Sequence, residues 1–127
     1  MAQIKSYDTL SNVRDHIKKG KILSKGSNLT IASDAITVTD SYHLVAVESG
    51  SSDDLKTING GKQAGQLLVL QAAADDKTVV VKNYASGTDN IRIGADVTLD
   101  DAKDSVTLMW NGSDWNMISS AATATVS

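Results

Sequence analysis

Two histidines, three pairs of adjacent aspartates and one glycine-rich loop are the parts of this chain whose residue types could do chemistry. His16 stands beside Arg14 and Asp15, and His43 follows Tyr42. A metal centre or a general base needs several groups converging on one point. Two histidines in separate elements, with no second His–carboxylate spacing, do not supply that. His16 therefore reads as a solvated residue and His43 as a partly buried one. Asp53-Asp54, Asp75-Asp76 and Asp100-Asp101 offer paired carboxylates, which suit acid–base work or Ca²⁺ ligation. All three pairs lie in segments of turn composition, where aspartate is favoured because its carboxylate accepts from nearby backbone amides. None has the spacing of an EF-hand loop. The run Asn59-Gly60-Gly61-Lys62-Gln63-Ala64-Gly65 has the glycine content of a phosphate loop. It lacks Gly-Lys-Ser/Thr and leads into an apolar strand, whereas a phosphate needs the amides of a helix N-terminus. Its glycines suit a tight turn, or a place where two backbones approach. No nucleophile elbow is present, and no Ser/His/Asp set stands out. The expectation is a chain with no catalytic residue, no cofactor and no metal: a binding or structural module.

The elements that would position these residues are mostly strands. The strongest local signal is at the C-terminal end, where Ser105–Trp110 and Trp115–Ser119 flank Asn111-Gly112-Ser113-Asp114. An Asn-Gly turn between strand-forming runs predicts a hairpin. A loop of Gly112-Ser113, or of all four residues, gives the same register, with Trp110 facing Trp115. Val106, Leu108, Trp110, Trp115 and Met117 then share one face and form the core of the hairpin. Upstream, alternating runs at 27–32, 35–39 and 42–48 are separated by Ser33-Asp34 and Asp40-Ser41. Residues 49–54 have loop composition. Gln66-Leu67-Leu68-Val69-Leu70-Gln71 is apolar without alternation, which predicts a central strand buried on both faces. Thr78–Lys82, Asn90–Gly94 and Val97–Leu99 complete the series. Short strands with close turn signals indicate an all-β domain, an antiparallel β-sandwich or barrel-like module.

Helical period is confined to Ser6–Lys19. Leu10, Val13, Arg14 and Ile17 recur at three- and four-residue spacing, Lys18, Lys19 and Lys21 suit a helix C-terminus, and Gly20 is a natural stop. The stripe is too narrow to be stable alone, so the helix must lie against either its own domain or a neighbouring chain. The expected organisation is an arm at 1–29 with a short helix, a β module at 30–120 and a frayed tail at 121–127.

Composition sets further bounds. The chain has 127 residues, no Cys, no Pro and no Phe, and 4% aromatics. A core of small and β-branched side chains is thin, and association with copies of itself would strengthen it. A formal charge of −3 argues against a nucleic-acid footprint. No apolar run is long enough to span a bilayer, and the first residues lack the apolar core of a signal peptide. Synthesis in a cytoplasm is the expectation. Edge strands, with no proline to guard them, must be covered in some other way.

The order of motifs resembles a known family. Ile36–Val45, Asp53–Gly61, Gly65–Ala72, Thr78–Lys82, Asn90–Gly94, Thr98–Asp100, Asp104–Trp110 and Trp115–Ser119 follow one another as in a β-rich module of tailed-bacteriophage virion proteins. That module recurs in head fibres, capsid decoration proteins and tail-fibre segments. The resemblance implies a non-enzymatic virion protein made in the host cytoplasm and assembled as a homotrimer. In a chain with no long shaft it implies a capsid decoration or short head-fibre protein. Tyr7, Leu10, Val13, Arg14 and Ile17 of the arm would then meet the major capsid protein. The alternative is a receptor- or glycan-binding knob of a tail fibre. Tyr84, in a loop, is the candidate ligand contact for a host surface glycan, because sugar rings stack on exposed aromatics. A depolymerase is the third reading, and no two aspartates are held together by any motif that would support it.

Overall fold

The computed structural model describes residues 23–122. The expected arm helix, with Tyr7, Leu10, Val13, Arg14 and Ile17, and the tail from residue 123 lie outside the described residues. Eleven strands follow in order: β1 (Leu29–Thr30), β2 (Ala35–Thr37), β3 (Tyr42–Ala46), β4 (Ser52–Leu55), β5 (Thr57–Asn59), β6 (Leu67–Ala72), β7 (Thr78–Val81), β8 (Ile91–Arg92), β9 (Val97–Leu99), β10 (Ser105–Trp110) and β11 (Trp115–Ala121). Among the described residues there is no helix. The strands form a six-stranded sheet in the order β1-β3-β6-β10-β11-β8, a three-stranded sheet β4-β7-β9 and a two-stranded sheet β2-β5.

The chain climbs as a coil. The strands β1, β3 and β6 stack in parallel as one wall, β2 and β5 as a second, and β4 and β7 as a third. Each turn of the coil lays its strands on those of the turn before, which gives a β-solenoid-like body. The direction then reverses. β9 runs antiparallel to β7, and β10 runs antiparallel to β6. The hairpin β10–β11 closes this end, and the start of β11 pairs in parallel with β8. The all-β expectation holds, but its antiparallel form is corrected: five of the eight strand pairings are parallel. Residue alternation says which face of a strand is buried. It does not say which neighbour the strand pairs with, or in which direction.

Inward residues of all three walls meet in one core. Ile31, Leu55, Ile58, Leu68, Leu70, Ile91, Leu99, Leu108 and Trp115 are fully buried. In the absence of phenylalanine, aliphatic side chains fill the coil and one tryptophan fills its capped end. Truncating one of them, such as Leu70, costs about 2–5 kcal/mol. Residues 23–29 belong to the expected arm, and two of them touch β3: Lys25 bridges Tyr42, and the Gly26 amide donates to the Tyr42 carbonyl. Ser52–Leu55 forms β4 although its composition is that of a loop, because the backbone pairs in register with β7 while the Asp53 carboxylate accepts from the Glu48 and Asp54 amides.

Candidate functional site

The hairpin cap and the loop beside it bring polar and aromatic side chains together. In the turn, the Asn111 side-chain oxygen accepts from the amides of Ser113 and Asp114, both at 2.8 Å, and Gly112 takes a positive φ. This pins the loop at four residues and sets Trp110 opposite Trp115. Their ring centroids are 5.2 Å apart at 52°. Trp115 is fully buried, and its indole N–H donates to the Ile58 carbonyl at 3.1 Å. Trp110 is half-buried, and the Gly61 backbone lies against its ring so closely that a Cβ there would stand 2.4 Å from it. Gly60, at φ 107°, passes the Val38 backbone with the same intimacy. The glycine cluster thus admits two close backbone approaches.

Val106, Leu108 and Trp115 face inward and are buried. Met117, expected on the same buried face, is 36% exposed. A bulge between Thr107 and Leu108 breaks the register, and β8 covers β11 only at Trp115 and Asn116. Beyond Asn116 no strand of the described residues pairs with that edge of β11.

Tyr84 stands where the 84–92 loop meets the hairpin. The Arg92 guanidinium lies over its ring at 3.8 Å, and the Arg92 Nε donates to Asp114 Oδ2 at 2.9 Å. Asn116 Nδ2 reaches the Arg92 carbonyl, and Asn111 Nδ2 donates to Asn116 Oδ1. Tyr84, Arg92, Asp114, Asn116 and Asn111 therefore form one connected surface cluster. Tyr84 is half-buried, so it is not the open platform the sequence suggests; Arg92 covers one of its faces. The Arg92 side chain is 49% exposed and uses only its Nε within the cluster. A guanidinium carries five N–H donors. A donor fork beside a carboxylate, two amides and a phenol can bind a ligand rich in hydroxyl groups.

The other candidates are committed elsewhere. His43 is fully buried, with Nδ1 2.7 Å from the Ser27 carbonyl and Nε2 accepting from the amides of Thr39 and Asp40 at 3.1 and 3.0 Å. Two donors on Nε2 fix the neutral Nδ1–H tautomer and leave neither nitrogen for a ligand. The aspartate pairs accept from backbone amides: Asp101 from the nearby Lys103, and Asp75 from Ala102 of a distant turn. Among the described residues no group of three His, Cys, Asp or Glu side chains is placed to hold a metal ion.

Two asparagines with structural roles escape motif reading. Asn90 donates to the Ile58 carbonyl and accepts from the Ile58 amide, so its side chain stands in for a strand beside β5. Asn83 accepts from the Ile93 and Gly94 amides. Beside it, Lys82 lies 2.8 Å from Asp96. That contact raises the Lys82 ammonium above its ordinary value, and together with the hydrogen bond from the Asn83 amide it holds the Asp96 carboxyl below its own.

A family model described as the phage depolymerase C-terminal beta sandwich domain matches residues 23–116. That span takes in every strand from β1 to β10 and the start of β11. No curated protein matches the chain, and no solved structure matches it.

Proposed function

The chain belongs to the phage depolymerase C-terminal beta sandwich domain family, a tail-fibre-like structural module of phage virions, and on that premise we propose that it serves the virion tail without doing catalysis itself. The observation that carries this reading is the span of the match, which covers nearly all of the described β body. In this role the module assembles with copies of itself as a trimer and ends or links a fibre. Its work is mechanical, and the dense backbone pairing of a coiled β body suits it. The test is to separate purified particles into head and tail fractions and identify the chain by mass spectrometry. Recovery with tails is expected; recovery with neither fraction rejects a virion role.

A second reading concerns what the module touches. The Tyr84–Arg92–Asp114–Asn116 cluster supports recognition of a host surface glycan, since planar donors, a carboxylate and an aromatic edge are suited to hydroxyl-rich rings. Binding on a glycan array that Arg92→Ala abolishes would support it. Unchanged binding would move the contact elsewhere.

The head-decoration reading keeps one observation, the apolar stripe Leu10, Val13 and Ile17 in the arm. If that stripe meets the major capsid protein, the chain fractionates with heads, and a chain lacking residues 1–20 does not.

A further inference from the structure

The segment Gln66–Gln71 has the sequence of a strand covered on both faces, and among the described residues only one face is covered. In β6, Leu68, Leu70 and Ala72 point into the core, while Leu67 is 38% exposed and Val69 stands outward beside it. The strands on either side repeat the pattern. Tyr42 and Leu44 face outward from β3, and Met109 from β10. Register joins them into one patch, because Tyr42 pairs with Val69 and Leu67 with Met109. The Tyr42 hydroxyl is turned onto the Gln71 side chain, which keeps the phenol flat along the sheet. No outward position on β3, β6 or β10 carries a charge, although 21% of the chain is charged. Loss of charge around an apolar centre is the compositional mark of an interface core.

We propose that the outer face of the six-stranded sheet docks a second copy of this chain, with Leu44, Leu67, Val69 and Met109 at the centre of contact. A thin core without phenylalanine is strengthened by packing copies together, and the net charge selects the face on which they meet. Copies of a chain at −3 repel one another across any surface bearing their acidic groups. Here the outward strand positions bring no acidic groups together; the Lys25 ammonium, 5.9 Å from the Tyr42 ring centre, marks the β3 side of the patch. The same sheet runs on to the β11 edge beyond Asn116, where Ile118 is exposed, so apolar surface extends past the patch. This inference rests on the self-assembly proposed above and adds where it happens.

The experiment is multi-angle light scattering on the full chain, across a dilution series, for the wild type, Val69→Lys and a control, Thr37→Lys, on the exposed outer side of β2. Thermal melting of each variant at a dilution where all are monomeric checks that the fold survives. The wild type and the control should give the same multiple of the 13.4 kDa chain mass. Val69→Lys should need at least about tenfold more protein to assemble, because it sets like charges opposite each other. An unchanged mass for Val69→Lys overturns the assigned face and leaves self-assembly standing. A wild type that is monomeric throughout overturns both. A dimer in place of a trimer, lost in Val69→Lys, upholds the face and rejects the trimer.

Discussion

His43 shows how a buried polar residue can be indispensable without being catalytic. Its ring satisfies the amides of Thr39 and Asp40 and the carbonyl of Ser27 at once, so it ties the entry segment to the turn before β3. Replacing it with leucine keeps the bulk and leaves those groups unpaired in the interior. His43→Leu should destabilise the fold by about 2–4 kcal/mol, read from chemical denaturation. A loss below the error of that measurement would show that water replaces the ring. Gly61 makes a different prediction. A methyl group there must displace the Trp110 ring. Gly61→Ala should therefore cost about 1–3 kcal/mol and shift tryptophan fluorescence. The Lys82–Asp96 pair brings a pH effect. Asp96 titrates lower in the folded chain than unfolded, so its contribution is full above the ordinary value of 3.8 and is lost as pH falls through the folded one. Lys82 is raised, so its share is full below 10.5 and is lost as pH rises through its folded value. Both side chains are more than one-third exposed, which keeps the effect small. Asp96→Asn should flatten the acid limb of a melting-temperature profile, and an unaltered limb would assign that loss to other carboxylates.

At the scale of elements, turns were legible in the sequence and strand partners were not. Asn111-Gly112 specifies a hairpin, because a positive φ is available there at low cost. Ser33-Asp34 was readable as a turn, and it links Ala32 to Ala35 through a pair of backbone hydrogen bonds. Both of its central residues have positive φ, at 52° and 64°. Asparagine tolerates that conformation better than serine. Ser33→Asn should therefore stabilise the chain by about 0.5 kcal/mol, and a lower melting temperature would count against the turn geometry. The coil itself was hidden. Parallel stacking of β3 on β6, or β4 on β7, joins residues a whole coil apart, and no local pattern marks that pairing. The Asp53-Asp54 segment misled for the same reason: loop composition lost to backbone pairing. The surface cluster was legible only in Tyr84. Its partners Arg92, Asp114 and Asn116 come from two other segments, and the fold alone brings them together.

At the scale of the whole molecule, the described residues form a coiled β body closed at one end by a tryptophan-bearing hairpin, with the uncharged outer face of β3, β6 and β10 on its flank. Each feature suits a structural part that repeats within a larger object. The hairpin cap ends the coil without leaving the core open, and the flank offers a face on which copies can pack. The central claim is that this module is a tail component of a phage particle. The measurement that tests it most directly is electron microscopy of intact particles labelled with gold-conjugated antibody against the purified chain. Gold is expected on the tail, at the same position from particle to particle. Gold confined to the capsid, or particles that carry none, would contradict it.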